Sequence, residues 1–566
     1  MKKIHFNKKH RAYFLCFLIT IMASTACKKQ LDVKNPNDPT FGGNVNTEAG
    51  LAAYAKGSIY WNGFSNGDGW LGDSYFSLPW GYHELMGDVV GGGQGSNNQT
   101  TTMGVPDSFV ADPTDPTNTS FTNSAPQALS IIRSFNNAAS TGQGNNALYY
   151  EWLNMYAMIN SSNTTLENLA SINLTADKAN AVKAWAYWWK GYAYAQIGTL
   201  YYAGLIVDHS NTVVSTFVPQ TTIIAESNKQ LNLALTTLKG ISNQGDYSAM
   251  MDQIIPTQCK TGLGKTPSTT EFIATINTML ARNIVLNHLS PFVNGNPAAS
   301  ISKASIPAMS SADWTAVITY ASAGVQKGAN VFTGRSSTSN SFFSATAGTV
   351  ASICASSNQN TTYKVSERLI QAFPAGDKRL ANFSAADGTF YGDANTNTTR
   401  WSLVDGVTAG LTGIPVLGSR QVGGIEVYIG PTYEENALML AEANIRSGNV
   451  AAGVALIDAV RTYQGAGLAP LSTSLTVAQA MTELTNERYA GLAFRGLSYY
   501  DARRWGWTYG TAVGGGRYGA TLIFNKVVYN NAKINYNFMD YWDVPGDETE
   551  KNAPGTGSSA VKNPNY

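Results

Sequence analysis

The chain has 566 residues, of which 43% are hydrophobic and only 13% are charged, with 54 glycines and 29 tyrosines. This composition supports a substantial core and a surface rich in uncharged polar and aromatic groups. The formal net charge is +1, but residues 1–26 carry five basic side chains and no acidic one, which leaves 33 basic against 37 acidic residues in the remainder. That balance argues against nucleic acid as a partner, because phosphate binding requires a basic surface.

The N-terminus has the layout of a secretory signal peptide. A basic stretch, Lys2–Arg11, precedes an apolar run, Ala12–Ala23, which is too short to span a bilayer. The small residues that follow end at Cys27, and this ending is similar to a bacterial lipoprotein signal, although Ser24 stands where an aliphatic residue is usual. The resemblance implies that Cys27 carries the lipid; an ordinary signal peptide with an incidental cysteine is the alternative. We predict a signal over 1–26, a flexible tether over 27–39 and a single domain over 40–566.

A long loop follows the first predicted helix. Thr47–Trp61 has the spacing of a short amphipathic helix, and residues 62–126 are rich in Gly and Asn. Loops of this length in globular proteins are usually functional or disordered. Sugar rings have apolar faces that lie against aromatic side chains, while amides bond to their hydroxyls. We therefore predict ligand-binding residues here, namely Trp70, Tyr75, Trp80, Tyr82, Asn97, Asn98 and Gln99. The alternative for the aromatic members is burial in the core.

Helical periodicity dominates the rest of the chain. Asn146–Leu169 and a helix capped by Thr175 form a predicted hairpin, in which Tyr187, Gly191 and Tyr194 stand at offsets similar to those of a tetratricopeptide helix. Further helices are predicted at Glu226–Leu238, Thr269–Leu289, Ser310–Gly324 and Val365–Phe373, with a pair in Pro431–Val460. The scaffold thus lies mainly in 146–290, 310–328 and 432–505, and loop-rich regions lie in 62–126, 329–362 and 385–424. Tryptophans on helical faces are assigned to the core: Trp152, Trp185, Trp188, Trp314 and Trp505.

The stretch Met481–Trp505 is predicted to be one helix. Its apolar arc, a predicted docking face, contains Met481, Leu484, Tyr489, Leu492, Ala493, Gly496 and Tyr499. The opposite side carries Glu483, Glu487 and Asp501. Because Asp501 precedes Arg504 by three residues and Trp505 by four, we expect its carboxylate to meet the guanidinium and the indole.

Asn486–Trp505 reads N-E-R-Y-A-G-L-A-F-R-G-L-S-Y-Y-D-A-R-R-W and resembles the C-terminal signature of the SusD/RagB family of outer-membrane nutrient-binding lipoproteins. The matching positions are Asn486, Glu487, Arg488, Leu492, Phe494, Gly496, Asp501, Arg504 and Trp505. The departures are Gly491, Arg495, Ser498 and Ala502. Three further segments resemble elements of this family: Glu84–Asp88, Phe373 with Asp377 and Arg379, and the closing Asn563-Pro564-Asn565-Tyr566.

This resemblance implies a mostly α, SusD-like fold with tetratricopeptide-like helix pairs as the scaffold and irregular loops that carry the ligand site. It also implies an outer-membrane protein that contacts the membrane only through its lipid. Such a protein captures an oligosaccharide or polysaccharide and delivers it to a SusC-like TonB-dependent transporter. We expect no enzymatic activity and no cofactor. The alternatives are a peptide ligand, as in RagB-type members, a less favoured surface glycoside hydrolase, and a structural subunit of the transporter complex with no ligand of its own.

Two motifs offer competing chemistry. Cys259–Thr266 nearly matches a phosphate-binding loop, but Cys259 occupies the position of its first obligatory glycine and no hydrophobic strand precedes it. Asp393, Asn395 and Asn397 have the opening spacing of a calcium loop but lack its later Gly and Glu. We predict a turn there and no metal site.

The remaining histidines and cysteines carry no recognisable catalytic pattern. His83, His209 and His288 occur in no hydrolase or metalloprotease motif, and each is predicted to be a surface residue or a hydrogen-bonded structural residue. An exported protein can form a disulfide between Cys259 and Cys354, and the sequence leaves that pairing open.

Overall fold

The computed structural model describes residues 46–57, 79–92, 103–115, 117, 119–122, 130–137, 148–260, 262–290, 301–335, 363–385, 390, 399–403 and 426–566. The predicted signal peptide, the tether, Cys354 and the calcium-like turn at Asp393 lie outside these residues. The described chain is mostly α-helical, which confirms the predicted fold class.

The helices of the described part are α1 (Glu48–Tyr54), α2 (Pro79–Met86), α3 (Ser130–Asn137), α4 (Tyr149–Leu169), α5 (Ala176–Leu200), α6 (Gln220–Lys239), α7 (Gln244–Ile254), α8 (Thr269–Leu286), α9 (Ser311–Ser322), α10 (Glu367–Gln371), α11 (Tyr433–Arg446), α12 (Val450–Tyr463), α13 (Val477–Gly491), α14 (Ser498–Arg504) and α15 (Gly546–Lys551). The strands are β1 (Val90–Gly92), β2 (Ser108–Val110), β3 (Ser120–Thr122), β4 (Ala203–Gly204), β5 (Val218–Pro219), β6 (Thr333–Arg335), β7 (Tyr363–Val365), β8 (Phe383–Ala385), β9 (Trp401–Leu403), β10 (Glu426–Tyr428), β11 (Arg517–Phe524) and β12 (Val527–Asn535). Among these helices, none combines the length and hydropathy needed to cross a membrane.

Helix pairs form the scaffold, as predicted. α4 packs against α5, α5 against α6, and α11 against α12. The predicted cap holds at α5, where the Thr175 side chain accepts a hydrogen bond from the backbone N–H of Lys178. A Cβ at Gly191 would lie only 2.9 Å from the side chain of Leu231, so glycine at this position allows α5 and α6 to approach closely. Gly448 lies between α11 and α12, and its φ of +88°, in the left-handed region, is the usual geometry of a residue that ends a helix.

The predicted core tryptophans are confirmed. Trp185, Trp188 and Trp505 are fully buried, and Trp152 and Trp314 are 2% and 7% exposed. The centre of this core is aromatic, because the rings of Trp188 and Trp189 both pack on Phe332, which immediately precedes β6.

The prediction of one continuous helix over 481–505 is wrong. α13 ends at Gly491, and α14 begins only at Ser498. Between them Phe494 and Gly496 take positive φ angles of 62° and 71°, which are incompatible with a right-handed helix.

The break also changes the predicted faces of this stretch. Glu487 and Asp501, expected on the outer side, are 1% and 3% exposed. The expected contact between Asp501 and Arg504 is confirmed, with Nε 2.7 Å from Oδ1. The expected contact between the Asp501 carboxylate and the Trp505 indole is not observed, because the Trp505 N–H has no hydrogen-bond partner among the described residues.

Other helix predictions differ from the structure at their ends. α8 ends at Leu286 rather than Leu289, and α6 begins before its predicted start. The segment predicted as one helix at Val365–Phe373 contains only α10, because Tyr363–Val365 pairs with β1 as a strand. Periodicity did not predict α3 or α7.

A four-stranded sheet was also not predicted. Its order is β11-β12-β2-β3, and all its pairs are antiparallel. β11 and β12 form a hairpin whose turn residues Asn525 and Lys526 both have positive φ, the geometry that matches the twist of adjacent strands. The sheet joins the C-terminal part of the chain to two strands from the predicted loop region 62–126.

Arg504 is expected to be essential for stability. Its guanidinium bonds to both carboxylate oxygens of Glu442, at 2.9 and 2.6 Å, and to Asp501. Replacement by Met leaves two buried carboxylates without this partner, so Arg504→Met is predicted to lower the free energy of unfolding by about 3–5 kcal/mol in urea titrations.

The matched control is Lys229→Met. Lys229 pairs with Glu226 at 3.1 Å, but its side chain is 60% exposed. The expected loss is below about 1 kcal/mol. Equal losses for the two variants would contradict the importance of buried pairing.

Candidate functional site

Two of the seven predicted ligand-binding residues lie in the described structure. Trp80 is 5% exposed and Tyr82 is fully buried. A Cβ on Gly496 would lie 3.0 Å from the Trp80 ring, which shows how tightly that ring packs. In this structure both rings therefore pack against protein atoms. The prediction of ligand contact rests on Trp70, Tyr75, Asn97, Asn98 and Gln99, which lie outside the described residues.

Trp80 and Tyr82 belong to a segment that links the two stretches containing those five residues. We call residues 79–92, comprising α2 and β1, the loop anchor. Its partners come from distant parts of the chain. The Tyr489 hydroxyl donates to the Gly87 carbonyl at 2.6 Å, across 402 residues. The anchor thus fixes the point after the first of these stretches and the point before the second.

His83 lies at the centre of α2 and is completely buried. Its Nε2 lies 3.0 Å from Glu151 Oε2, and its Nδ1 lies 3.2 Å from the Gly496 carbonyl oxygen. The Tyr500 hydroxyl approaches Nε2 at 3.4 Å. These contacts support the predicted structural role of His83, because they join α2 to α4 and to the segment before α14.

Glu84 binds the backbone of the break between α13 and α14. Its carboxylate accepts hydrogen bonds from Gly496 N–H at 2.7 Å, from Phe494 N–H at 3.2 Å and from the Ser498 hydroxyl at 3.1 Å. These bonds satisfy donors that the interrupted helix leaves unpaired. Burial nevertheless dominates, and it raises the pKa of Glu84 to about 7.

Asp88 is shared by two arginines. Arg368 donates to both of its oxygens, at 2.6 and 2.8 Å, and Arg517 Nη1 donates to Oδ2 at 2.8 Å. The hydroxyl of Tyr536 donates a further, short hydrogen bond. Burial opposes ionisation, but the two guanidinium charges outweigh it and hold the pKa of Asp88 below its ordinary value.

A cleft of about 260 Å³ opens next to this cluster. We call it the Arg517 cleft. Three elements, α10, α13 and β11, line it together with Trp507. Its polar groups include the half-buried amide of Asn486 and the exposed hydroxyl of Thr482, and its aromatic groups are Tyr489, Trp507 and Tyr518. Aromatic rings beside amide and hydroxyl groups can hold a sugar residue.

Sequence reasoning did not predict this cleft. Tyr489 was assigned to a docking face, and Trp507, Arg517 and Tyr518 were not assigned at all. The sequence feature that could have indicated the cleft is the Gly-rich stretch 514–519. In the structure Gly516 and Gly519 have φ of +106° and +64°, and this backbone places Arg517 and Tyr518 beside α10.

Of the two competing motifs, the phosphate-loop-like segment lies in the described residues except for Thr261. This segment begins within a short 3₁₀ turn, Thr257–Lys260, which comes after α7 rather than after a strand, and the Lys265 ammonium pairs with Glu271. Cys259 is buried at 3% exposure. Across the described ranges, no group of three or more His, Cys, Asp or Glu side chains has the arrangement of a metal site.

Comparison with known sequences finds two family models. One, described as starch-binding associating with outer membrane, matches residues 98–258. The other, described as the SusD family, matches residues 433–566. The two segments together cover more than half of the chain. No curated protein matches it.

Solved structures share the fold. A SusD-like carbohydrate binding protein from Bacteroides vulgatus ATCC 8482 is 13% identical with a TM-score of 0.50, covering 89% of this chain and 92% of that one. A SusD-like carbohydrate binding protein from Bacteroides fragilis NCTC 9343 is also 13% identical with a TM-score of 0.50, at 83% and 96% coverage. A protein crystallised with xylogluco-oligosaccharide is 13% identical with a TM-score of 0.53, at 90% and 99% coverage. At these identities the similarity establishes the fold alone.

Glu84 is expected to make the protein less stable as pH rises. Its pKa is about 7 in the folded state against an ordinary value of 4.5, so between these values the folded protein keeps a proton that the unfolded chain releases. The shift corresponds to about 3 kcal/mol, which is present below pH 4.5 and lost by about pH 7. Urea unfolding across this range measures it, and Glu84→Gln should remove that loss. The exposed Glu550→Gln is the control, and a Glu84→Gln profile parallel to the wild type would refute the assignment.

Proposed function

Because the chain belongs to the SusD/RagB family, we propose that it is a cell-surface lipoprotein that captures an oligosaccharide or polysaccharide. In this proposal it delivers the glycan to a SusC-like TonB-dependent transporter in the outer membrane. Its work is binding rather than catalysis.

One observation carries the choice of a glycan: a cleft of aromatic, amide and hydroxyl groups lies next to Asp88 of the loop anchor, since Arg368 and Arg517 both line the cleft and bond to Asp88. Flat rings cover the apolar faces of sugars, and amide and hydroxyl groups pair with sugar hydroxyls. The fold relative crystallised with xylogluco-oligosaccharide and the two relatives named as carbohydrate binding support the same ligand class.

The lipid anchor follows from Cys27 in this proposal. Acylated Cys27 holds the protein at the membrane, and residues 28–39 act as the tether between the lipid and the folded domain. The transporter partner is supported by family membership, since a tethered binding protein can release a captured glycan into a neighbouring channel at high effective concentration.

The loop aromatics are predicted to contribute directly to glycan affinity. The soluble protein that begins after Cys27 should be retarded in native gels that contain its polysaccharide, and Trp70→Ala with Tyr75→Ala should weaken that binding about tenfold or more, since each loses a ring for stacking. Tyr320→Ala, a half-buried tyrosine on α9, is the control. Peptide binding without retention on any polysaccharide would instead favour the peptide-uptake alternative.

Cys27 is predicted to be required for membrane attachment. Cys27→Ala should shift the protein from the outer-membrane fraction to the soluble fraction and abolish palmitate labelling, because the thiol is the acylation site. Unchanged fractionation and labelling of Cys27→Ala would contradict the lipoprotein assignment.

A further inference from the structure

We propose that the Arg517 cleft binds the carboxylate of an acidic sugar, so that the glycan captured by this protein contains uronic acid. This inference rests on the proposed function and names the class of glycan. Its basis is the unbalanced positive charge of a buried arginine that lines the cleft.

Arg517 uses only part of its guanidinium within the protein. It is 7% exposed, and its Nη1 donates to Asp88 and, at 3.3 Å, to the Tyr489 hydroxyl. No other group of the described residues hydrogen-bonds to its Nε or Nη2. These two nitrogens form one edge of the guanidinium and present parallel N–H donors, which is the arrangement that receives a carboxylate in a bidentate pair.

The charge around Arg517 is not neutral. Arg368 commits all three of its nitrogens, two to Asp88 and one to the Thr521 carbonyl. Asp88 therefore supplies one negative charge for two guanidinium groups, and no residue that lines the cleft carries a carboxyl group. A buried charge without a counter-ion is costly, and a carboxylate that enters the cleft would remove this imbalance.

Aromatic packing holds the arginine ready for such a ligand. The guanidinium carbon lies 4.4 Å from the centre of the Trp507 ring and 4.9 Å from that of Tyr489, so both rings restrict its orientation. Preorganisation of this kind lowers the entropy lost on binding.

The rest of the cleft suits a sugar ring. Tyr518 is half-buried and offers a ring face, and the Lys533 ammonium lies 5.0 Å from the centre of that ring, which places a third cation near the two arginines that line the cleft. Asn486 and Thr482 supply groups for sugar hydroxyls. The volume of about 260 Å³ is below the roughly 300–1,000 Å³ of pockets for drug-sized ligands, so the cleft accommodates a single sugar residue.

The test neutralises the excess positive charge of the cleft and leaves Arg517 in place, because loss of Arg517 would also remove a partner of Asp88. Thr482→Glu places a carboxylate at the cleft on an exposed helical position, where the threonine hydroxyl donates to the carbonyl four residues earlier at 3.1 Å. Thr315→Glu is the matched control, since Thr315 is exposed on α9 and its hydroxyl makes the same bond to the carbonyl four residues earlier at 3.0 Å. Asn486→Asp serves as a second cleft variant.

The probes are polygalacturonate, alginate and hyaluronan, with fully methyl-esterified polygalacturonate and xyloglucan as neutral comparisons, in affinity gels and calorimetry. We expect at least one acidic polymer to bind about tenfold more tightly than the neutral ones and to lose affinity at high salt. Thr482→Glu and Asn486→Asp should each weaken that binding about fivefold or more, and Thr315→Glu should not change it.

The outcomes separate this inference from the proposed function. Binding of neutral polysaccharide with no preference for acidic polymers, or acidic binding that Thr482→Glu and Asn486→Asp leave unchanged, overturns the acidic-sugar site and leaves glycan capture standing. Polyglutamate serves as an acidic polypeptide probe. If the protein binds polyglutamate but no polysaccharide, both the acidic-sugar site and the proposed glycan capture are overturned.

Discussion

The buried carboxylate of Asp88 is the contact on which the arrangement around the loop anchor depends. It joins the end of α2 to Arg368 on α10, to Arg517 on β11 and to the Tyr536 hydroxyl after β12. The end of α2, helix α10 and the β11–β12 hairpin are far apart in the sequence. Separating a buried carboxylate from two guanidinium groups costs much free energy, because each group would be left buried without its partner. This cost fixes the relative positions of the segments that carry Asp88, Arg368 and Arg517. The Arg517 cleft exists because of this fixed arrangement.

The family signature and the predicted ligand loops are therefore physically connected. Glu84, on the anchor between the two predicted ligand loops, binds the backbone of the signature at its break, and the Tyr489 hydroxyl binds the anchor at Gly87. The interrupted helix is what makes this possible, because Phe494 and Gly496 turn their N–H groups away from a helical ladder and toward Glu84. Signature residues thus hold the ends of the segments that the sequence assigns to binding, while helix pairs elsewhere provide the rigid scaffold.

Further buried ion pairs join the scaffold to the signature. Arg379 bonds both to its neighbour Asp377 and to Glu487 on α13, and Arg504 bonds to Glu442 on α11. Such pairs add little net stability compared with an apolar core, but they penalise any packing that leaves one partner alone. We regard this as the physical reason why charged residues occupy the interior here: they specify which helices meet.

The sequence by itself determined the local features of this protein. Helical periodicity located α4, α5, α8, α9, α11 and α12, and it placed Trp152, Trp185 and Trp188 in the core. Residue type predicted the cap at Thr175 and the helix end at Gly448. All of these features depend on residues that are only a few positions apart. The tertiary structure alone decided the break before Ser498, the burial of Glu487, Trp80 and Tyr82, and the sheet that joins β12 to β2. It also decided the Arg517 cleft, since Asp88 and Arg517 are separated by 429 residues. Periodicity carries no information about which distant side chains meet, and burial of a charge becomes visible only once its partner is in place.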